Sequence, residues 1–248
     1  MAKYGLMAER RSHKILAVIP ARGGSKGLPR KNVLPLSGKP LIGWTIEAVK
    51  ESKNIDRIVV STDDREIASA CEKLGVRVPY FRPKKLAKDD TPAIDVVVHV
   101  LERLKTSENY MPDYVALFQP TSPLRTSLDI DRAVELLFSN SRADSVISLV
   151  DVSESPYWMR TVAKDGFIRH FMRHDYKDLR RQDLPPVYIV NGAIYISKTD
   201  VLLKNGSFSS NRTIGYLMPR SRSIDIDDMI DFRIAEMLLA ERLRRRQK

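Results

Sequence analysis

Short apolar runs of strand character alternate with stretches of helical spacing from the start of the chain to about residue 150. That rhythm constrains the fold more than any other feature. "ILAVI" (Ile15–Ile19) is continuous and β-branched, the pattern of a strand buried on both faces of a parallel sheet. "PLIGWTIEAVKES" then sets Leu41, Trp44, Ala48 and Val49 at helical spacing. "DRIVVST" (Asp56–Thr62) is the next strand. "DDREIASACEKLG" is a helix with acidic residues at its start and Gly75 past its end. "VRVPYF" has strand character. "TPAIDVVVHVLERLK" offers Thr91 as a cap and Pro92 for the first turn. "YVALFQ" (Tyr114–Gln119) and "DSVISLV" are further strands, with the capped helix "SLDIDRAVELLFS" between them. Strands alternating with helices predict a three-layer α/β fold around a mostly parallel sheet.

The rhythm breaks at about Val152. Residues 152–190 are rich in aromatics and arginine, and "KDGF" marks a turn between two strand-like pieces. The segment reads as an arm inserted within a single domain of residues 1–248, not as a second domain. Tyr157, Trp158, Phe167, Phe171, Met172 and Tyr176 are too many large apolar groups for an isolated exposed arm. Burial against a second copy of the chain is the expected outlet. The α/β rhythm resumes with "NGAIYIS", "TIGYLMP" and "SIDIDD", and ends in the helix "DFRIAEMLLAERL".

The 248 residues suit one large domain. No apolar run approaches the roughly 20 residues that cross a bilayer, so no membrane partner is expected. The N-terminal "MAKYGLMAERRSHK" lacks the apolar core of a secretory signal. The single cysteine, Cys71, lies in a helical pattern as a small core residue and rules out an internal disulfide framework. Together these predict a cytoplasmic protein. The net charge of +11 admits two partners, nucleic acid or a polyanionic small molecule. Part of the excess lies at the two chain ends. No basic strand is interleaved with aromatics in the manner of RNA-binding sheets, and one cysteine permits no zinc finger. A small anionic substrate is therefore expected and nucleic acid is not.

The loop after the first strand, "ARGGSKGLPRKN" (Ala21–Asn32), holds three glycines, two arginines and two lysines. In a parallel sheet such a loop lies at the ligand-binding ends of the strands. Glycine allows a backbone to approach a ligand closely. Backbone N–H groups with Arg22, Lys26, Arg30 and Lys31 suit a phosphate chain. Neither a Walker A loop nor a dinucleotide fingerprint fits "GGSKG". A solvated basic loop is the alternative, and the position after the first buried strand favours phosphate.

"SIDIDD" sets Asp225 and Asp227 at alternate positions of an extended segment, which aims both carboxylates to one face. Two carboxylates on one side are costly without a cation between them, and hard oxygen ligands suit Mg²⁺ with substrate phosphates. The alternative is an acidic strand capping the next helix, a task for which Asp228 is well placed.

"IPARGGSKGLPRKN", "LFQPTSPLR", "NGAIYI" and "SIDIDDMIDF", in this order and spacing, resemble the acylneuraminate cytidylyltransferases, the CMP-sialic acid synthetases. The resemblance runs from about Ile15 to the final helix. It implies a nucleotidyltransferase (Rossmann-like) fold and a homodimer built through the arm. It also implies the joining of CTP to a nine-carbon keto-acid sugar with release of pyrophosphate and with Mg²⁺. Carried over on the matching motifs, Arg22, Ser25, Lys26, Lys31 and Asn32 hold the triphosphate and Arg82 lies near the nucleotide. Gln119, Asn191 and Tyr195, with Arg181 and Gln182 of the arm, face the sugar. Asp225 and Asp227 bind the metal. Many members carry a basic residue two positions before "NGAIY", where this chain has Ile189, which leaves Arg181 or Arg160 for the sugar carboxylate.

On that reading the sugar's anomeric hydroxyl attacks the α-phosphorus, and Arg22 and Lys31 stabilise charge on the leaving pyrophosphate. Metal-assisted deprotonation involving Asp227 supplies the base. His99, in an apolar helix, is core-adjacent, and His170 and His174 lie on the arm. Within the same chemistry the sugar could be legionaminic, pseudaminic or another nonulosonic acid. A Kdo-type enzyme opens with a different loop. A nucleotide-binding protein without catalysis would not need Lys31, Asp225 and Asp227 together.

Overall fold

A computed structural model describes residues 13–25, 27–172 and 180–246. In chain order the elements are β1 (Ile15–Pro20), β2 (Pro35–Leu36), β3 (Lys39–Pro40), α1 (Leu41–Lys50), β4 (Arg57–Ser61), α2 (Arg65–Lys73), α3 (Ala93–Glu108) and β5 (Tyr114–Leu117). They continue with α4 (Ser127–Ser139), β6 (Ser145–Asp151), β7 (Arg160–Val162), β8 (Ile168–His170), β9 (Tyr188–Lys198), α5 (Thr199–Asn205), β10 (Thr213–Leu217) and α6 (Met229–Arg246). The central sheet runs β10-β6-β9-β5-β1-β4. β1 is parallel to both β4 and β5, and β6 is parallel to β10. β9 runs antiparallel between β5 and β6, with a register shift where β6 passes Ile147–Leu149.

Alternation along β1 sorts the two faces. Ile15, Ala17 and Ile19 pack with Ile42, Ile46, Ile67, Cys71 and Ile130 of α1, α2 and α4. Leu16 and Val18 pack on the other face with Val97, Val100 and Leu104 of α3 and Leu202 of α5. A third cluster joins Leu36, Leu41 and Trp44 to Ile226, Phe232 and Leu239, and holds α6 against the loop after β1. The result is the expected three-layer α/β fold with a mostly parallel sheet.

Local chemistry explains the helix starts. Asp64 accepts hydrogen bonds from the N–H groups of Glu66 and Ile67 and caps α2. Thr126 and Asp129 form a reciprocal capping box on α4. Asp228 accepts from the N–H groups of Ile230 and Asp231, so it caps α6. Three expectations are corrected. "VRVPYF" forms no strand: it lies beyond edge strand β4, and Pro79 has no N–H to donate. Thr91 makes no capping bond to α3, which begins at Ala93 with Pro92 before it. "SIDIDD" forms no strand: Ile226 N–H donates to the Thr121 carbonyl at 2.8 Å and Ser223 N–H to the Arg220 carbonyl at 3.1 Å, and no ladder runs along the segment.

Within residues 152–190, β7 and β8 pair as a hairpin across the Gly166 turn. Val162, Phe167, Ile168 and Phe171 are all exposed on it. His174 and Tyr176 lie outside the described residues. Among the described residues, no helix is long and apolar enough to cross a membrane.

Candidate functional site

The chain leaves β1 for β4 on one side and returns to β5 on the other. Connections diverging from neighbouring parallel strands open a crevice at their carboxyl ends. That crevice encloses about 270 Å³ and is lined by Arg22, Ser25, Lys31, Asn32, Arg82 and Gln119. Six residues selected from sequence therefore share one cleft. Lys26 lies outside the described residues.

The loop after β1 is held from several directions. Gly23 N–H donates to Asp63 Oδ1 at 3.0 Å, and a Cβ added at Gly23 would meet the Asp64 carboxylate at 2.6 Å. Buried Asn32 donates from Nδ2 to the Arg22 carbonyl at 3.0 Å. Arg30, in a left-handed conformation with φ 57°, pairs with Asp64 and Glu66. Lys31 Nζ donates to the Ile226 carbonyl and lies 3.6 Å from Asp227 Oδ1. A Cβ at Gly27 would overlap the Asp227 carbonyl, so the loop seats directly on the acidic segment. Arg22 pairs with Asp89 at 2.8 Å across the cleft.

Arg82 carries the strongest signal for a ligand. Its side chain is buried, yet Nε and Nη2 have no hydrogen-bond partner among the described residues. The nearest carboxylate, on Asp63, is 3.7 Å away. Burial pulls the Arg82 pKa below its ordinary value despite Asp63, with Arg22 adding to the repulsion. A buried cation with donors to spare is expensive until an acceptor arrives.

Opposite the loop stand Asp225 and Asp227. Asp225 is itself an exposed residue, yet the protein beside its carboxyl raises it above the usual carboxylate range, with the Asp227 charge adding to this and a Thr121 hydrogen bond and Lys31 opposing it. Asp227 is exposed, and among the described residues no three acidic, histidine or cysteine side chains cluster as a metal site. Two carboxylates short of positive charge nonetheless fit Mg²⁺, which takes one or two protein carboxylates and completes its shell with water and phosphate. Gly192, at φ 75°, lets the β9 backbone pass close: a Cβ there would sit 2.9 Å from Gln119 Oε1 and 3.4 Å from Asp225 Oδ2. Gln119 and Asp225 therefore flank one point of the backbone.

The remaining sequence candidates are placed differently. Asn191 is buried; its amide donates to Ser223 Oγ at 2.9 Å and accepts from Ser148 Oγ at 2.6 Å. Its side chain braces the wall of the site. The Tyr195 ring packs 5.8 Å from Phe208, though its hydroxyl pKa is raised by burial and by the nearby Asp225 charge. Gln182 lines a separate hollow at the base of the arm with Leu184 and Pro185. Arg181 opens the short helical turn beside it, and its side chain lies outside the described residues. Among the described residues, Gln182 lines this hollow and not the cleft.

Sequence reasoning passed over the residues beneath the site. Arg125 of "TSPLR" is buried and donates to the Ala193 carbonyl at 2.7 Å, Thr45 Oγ1 at 2.8 Å and the Gln119 carbonyl at 3.4 Å. It ties the Gln119 loop to β9, and burial pulls its pKa to about 9. Buried Asp129 receives both arms of Arg222, at 2.8 and 2.9 Å. That clamp anchors the segment leading to Asp225. Only an arginine inside an apolar motif could have signalled Arg125, and nothing local signals the Arg222 clamp.

Residues 16–235 match a family model described as cytidylyltransferase. Over 228 residues the chain is 39% identical to CMP-N,N'-diacetyllegionaminic acid synthase of Legionella pneumophila, covering 91% of this chain and 96% of that one. It is 38% identical over 221 residues to an N-acylneuraminate cytidylyltransferase of Streptococcus agalactiae, covering 88% of this chain. It spans only 52% of that longer relative. In fold it is similar to a CMP:2-keto-3-deoxy-manno-octonic acid synthetase solved with CTP, at TM-score 0.68, 19% identity, 92% of this chain and 99% of that one.

Proposed function

The chain belongs to the cytidylyltransferase family, and from that premise we propose that it joins CTP to a nonulosonic acid of sialic type, giving the CMP-sugar and pyrophosphate. The observation that carries this reading is the under-bonded, buried guanidinium of Arg82 in a cleft shared with Arg22 and Lys31. A nucleoside triphosphate supplies the acceptors that these cations lack. Ser25, Asn32 and the glycine backbone fix the phosphate chain. Gln119 and the Asn191–Gly192 step form the side from which the sugar enters. The sugar's anomeric oxygen bonds to the α-phosphorus as the bond to the β-phosphate oxygen breaks. Lys31 and Arg22 oppose the charge gathering on the departing pyrophosphate. The hydroxyl proton passes to a carboxylate of the 225/227 pair. Asp225 and Asp227 are the residues that would hold Mg²⁺, which neutralises phosphate charge when bound.

We further propose a cytoplasmic homodimer. The exposed apolar hairpin of β7 and β8 supports it, and a neighbour's arm would carry Arg181 and Gln182 toward the sugar. The test is pyrophosphate release from CTP or UTP with N-acetylneuraminic, legionaminic and pseudaminic acids. Release is expected with CTP and at least one sugar, and little with UTP. No release with any of the three, or equal rates with the two nucleotides, overturns the reading.

A further inference from the structure

Among the described residues, the cleft is lined by four cations, Arg22, Lys31, Arg82 and Lys88, and by a single carboxylate, that of Asp89. In a cleft shaped for a polyanion a carboxylate is out of place, because like charge opposes binding. Asp89 stands at the tip of a turn. The Thr91 N–H donates to the Lys88 carbonyl at 3.3 Å, which puts Asp89 and Asp90 at the central positions. The turn lies between the short helical piece Lys84–Leu86 and α3. Asp90 is exposed and does not line the cleft.

The Asp89 carboxylate meets Arg22 Nη1 at 2.8 Å. Arg22 belongs to the loop after β1, so the pair ties together two walls that come from separate parts of the chain. It also eases a charge problem. Arg22 and buried Arg82 repel each other, and Asp63 reaches Arg82 only at 3.7 Å. An anion carried by the protein offsets the Arg22 charge and lets the cations stand close together. A phosphate chain offers Arg22 the same kind of partner with more charge. Both Arg22 and Asp89 are partly exposed, at 31% and 41% of their side chains, so their pair is weak enough to exchange.

Resting on the function proposed above, we propose that Asp89 is a positioning residue that competes with the phosphate chain for Arg22. It holds the guanidinium in the cleft, yields it to the triphosphate, and takes it back as pyrophosphate leaves. CTP and pyrophosphate face the same competitor. CTP keeps its nucleoside as a further hold, whereas pyrophosphate has its charge alone. The carboxylate therefore limits inhibition by the product at a modest cost in affinity for the substrate.

Titration calorimetry on the full-length protein in the presence of Mg²⁺ measures Kd for inorganic pyrophosphate and for CTP, each without sugar. Asp89→Asn keeps the size of the side chain and removes its charge. It is expected to tighten pyrophosphate about fivefold and CTP by a similar factor, the scale of one partly exposed ion pair. The sugar KM should not move. Asp89→Glu should restore wild-type binding. Asp90→Asn removes the same charge one residue away and should shift either Kd by less than about twofold, since an exposed charge outside the cleft is screened. In an Arg22→Gln background, Asp89→Asn should lose its effect. Unchanged or weaker pyrophosphate binding in Asp89→Asn overturns the proposal. So does equal tightening in Asp90→Asn, or a gain that survives Arg22→Gln, since either would make the effect one of general charge. If the wild type binds neither CTP nor pyrophosphate, the parent reading falls as well. If it binds both and Asp89→Asn binds them no more tightly, the exchange alone is removed.

Discussion

Arg222→Gln isolates the clamp that holds the acidic segment to the fold. Asp129 is buried and its carboxylate accepts from Arg222 Nε and Nη2, Tyr216 Oη and the Thr126 N–H and hydroxyl. Burial alone would push its pKa up, but the Arg222 fork and the Thr126 bonds outweigh burial and hold it below the ordinary value. Removing one partner of a buried pair costs about 3–5 kcal/mol, because the remaining charge stays desolvated. The Arg222 side chain is 31% exposed, so water takes over part of its role and the estimate falls to about 2–3 kcal/mol. For a domain of this size each kcal/mol is worth about 2–4 °C, so the melting temperature should drop by about 4–12 °C. Asp129→Asn should cost less, because the cation it leaves behind can reach solvent. The double variant should be less destabilised than the two singles summed, by about 2 kcal/mol of coupling. The pH dependence has a definite sign. A carboxyl with a depressed folded pKa stabilises above its unfolded pKa of about 3.9, and the contribution is lost as pH falls through the folded value. The gap between wild type and Arg222→Gln should therefore be widest near neutrality and close progressively below about pH 4. Circular-dichroism melts of the four proteins at several pH values measure all of this. A drop under 2 °C for Arg222→Gln, or strict additivity in the cycle, would refute the clamp.

Three further outcomes are expected. Lys31→Ala should lower turnover by about 10²-fold or more, the effect of one preorganised donor at a developing charge, with only a modest loss of stability from the orphaned Ile226 carbonyl; near-normal turnover would remove Lys31 from the chemistry. Asp225→Asn and Asp227→Asn should each raise the Mg²⁺ concentration for half-maximal rate, and the double change should cost less than the product of the two; a Mg²⁺ titration unmoved in both singles rejects the metal pair. Phe167→Ser combined with Phe171→Ser should halve the sedimenting mass while leaving far-ultraviolet dichroism intact, since both side chains are exposed on the hairpin; an undisturbed dimer would place the interface elsewhere.

The sequence by itself determined the elements and their chemistry. β-branched runs, helical spacing and short-range caps act over a few residues, so β1, β4, β5 and a capped helix at α4 could be read directly. The glycine-rich loop could be read as a candidate anion site from its charge and its place after the first buried strand, with a solvated basic loop as the alternative. Tertiary structure decided what depends on distant partners. "VRVPYF" has strand propensity, but the sheet ends at β4 and no ladder forms. β9 runs antiparallel because it must enter the sheet from the arm side, which its own residues do not encode. Arg82, Arg125 and Arg222 look alike as sequence letters. One is buried with donors unused, one braces two backbone carbonyls, and one neutralises a buried aspartate. That division of labour follows from desolvation, and desolvation exists only once the chain has packed.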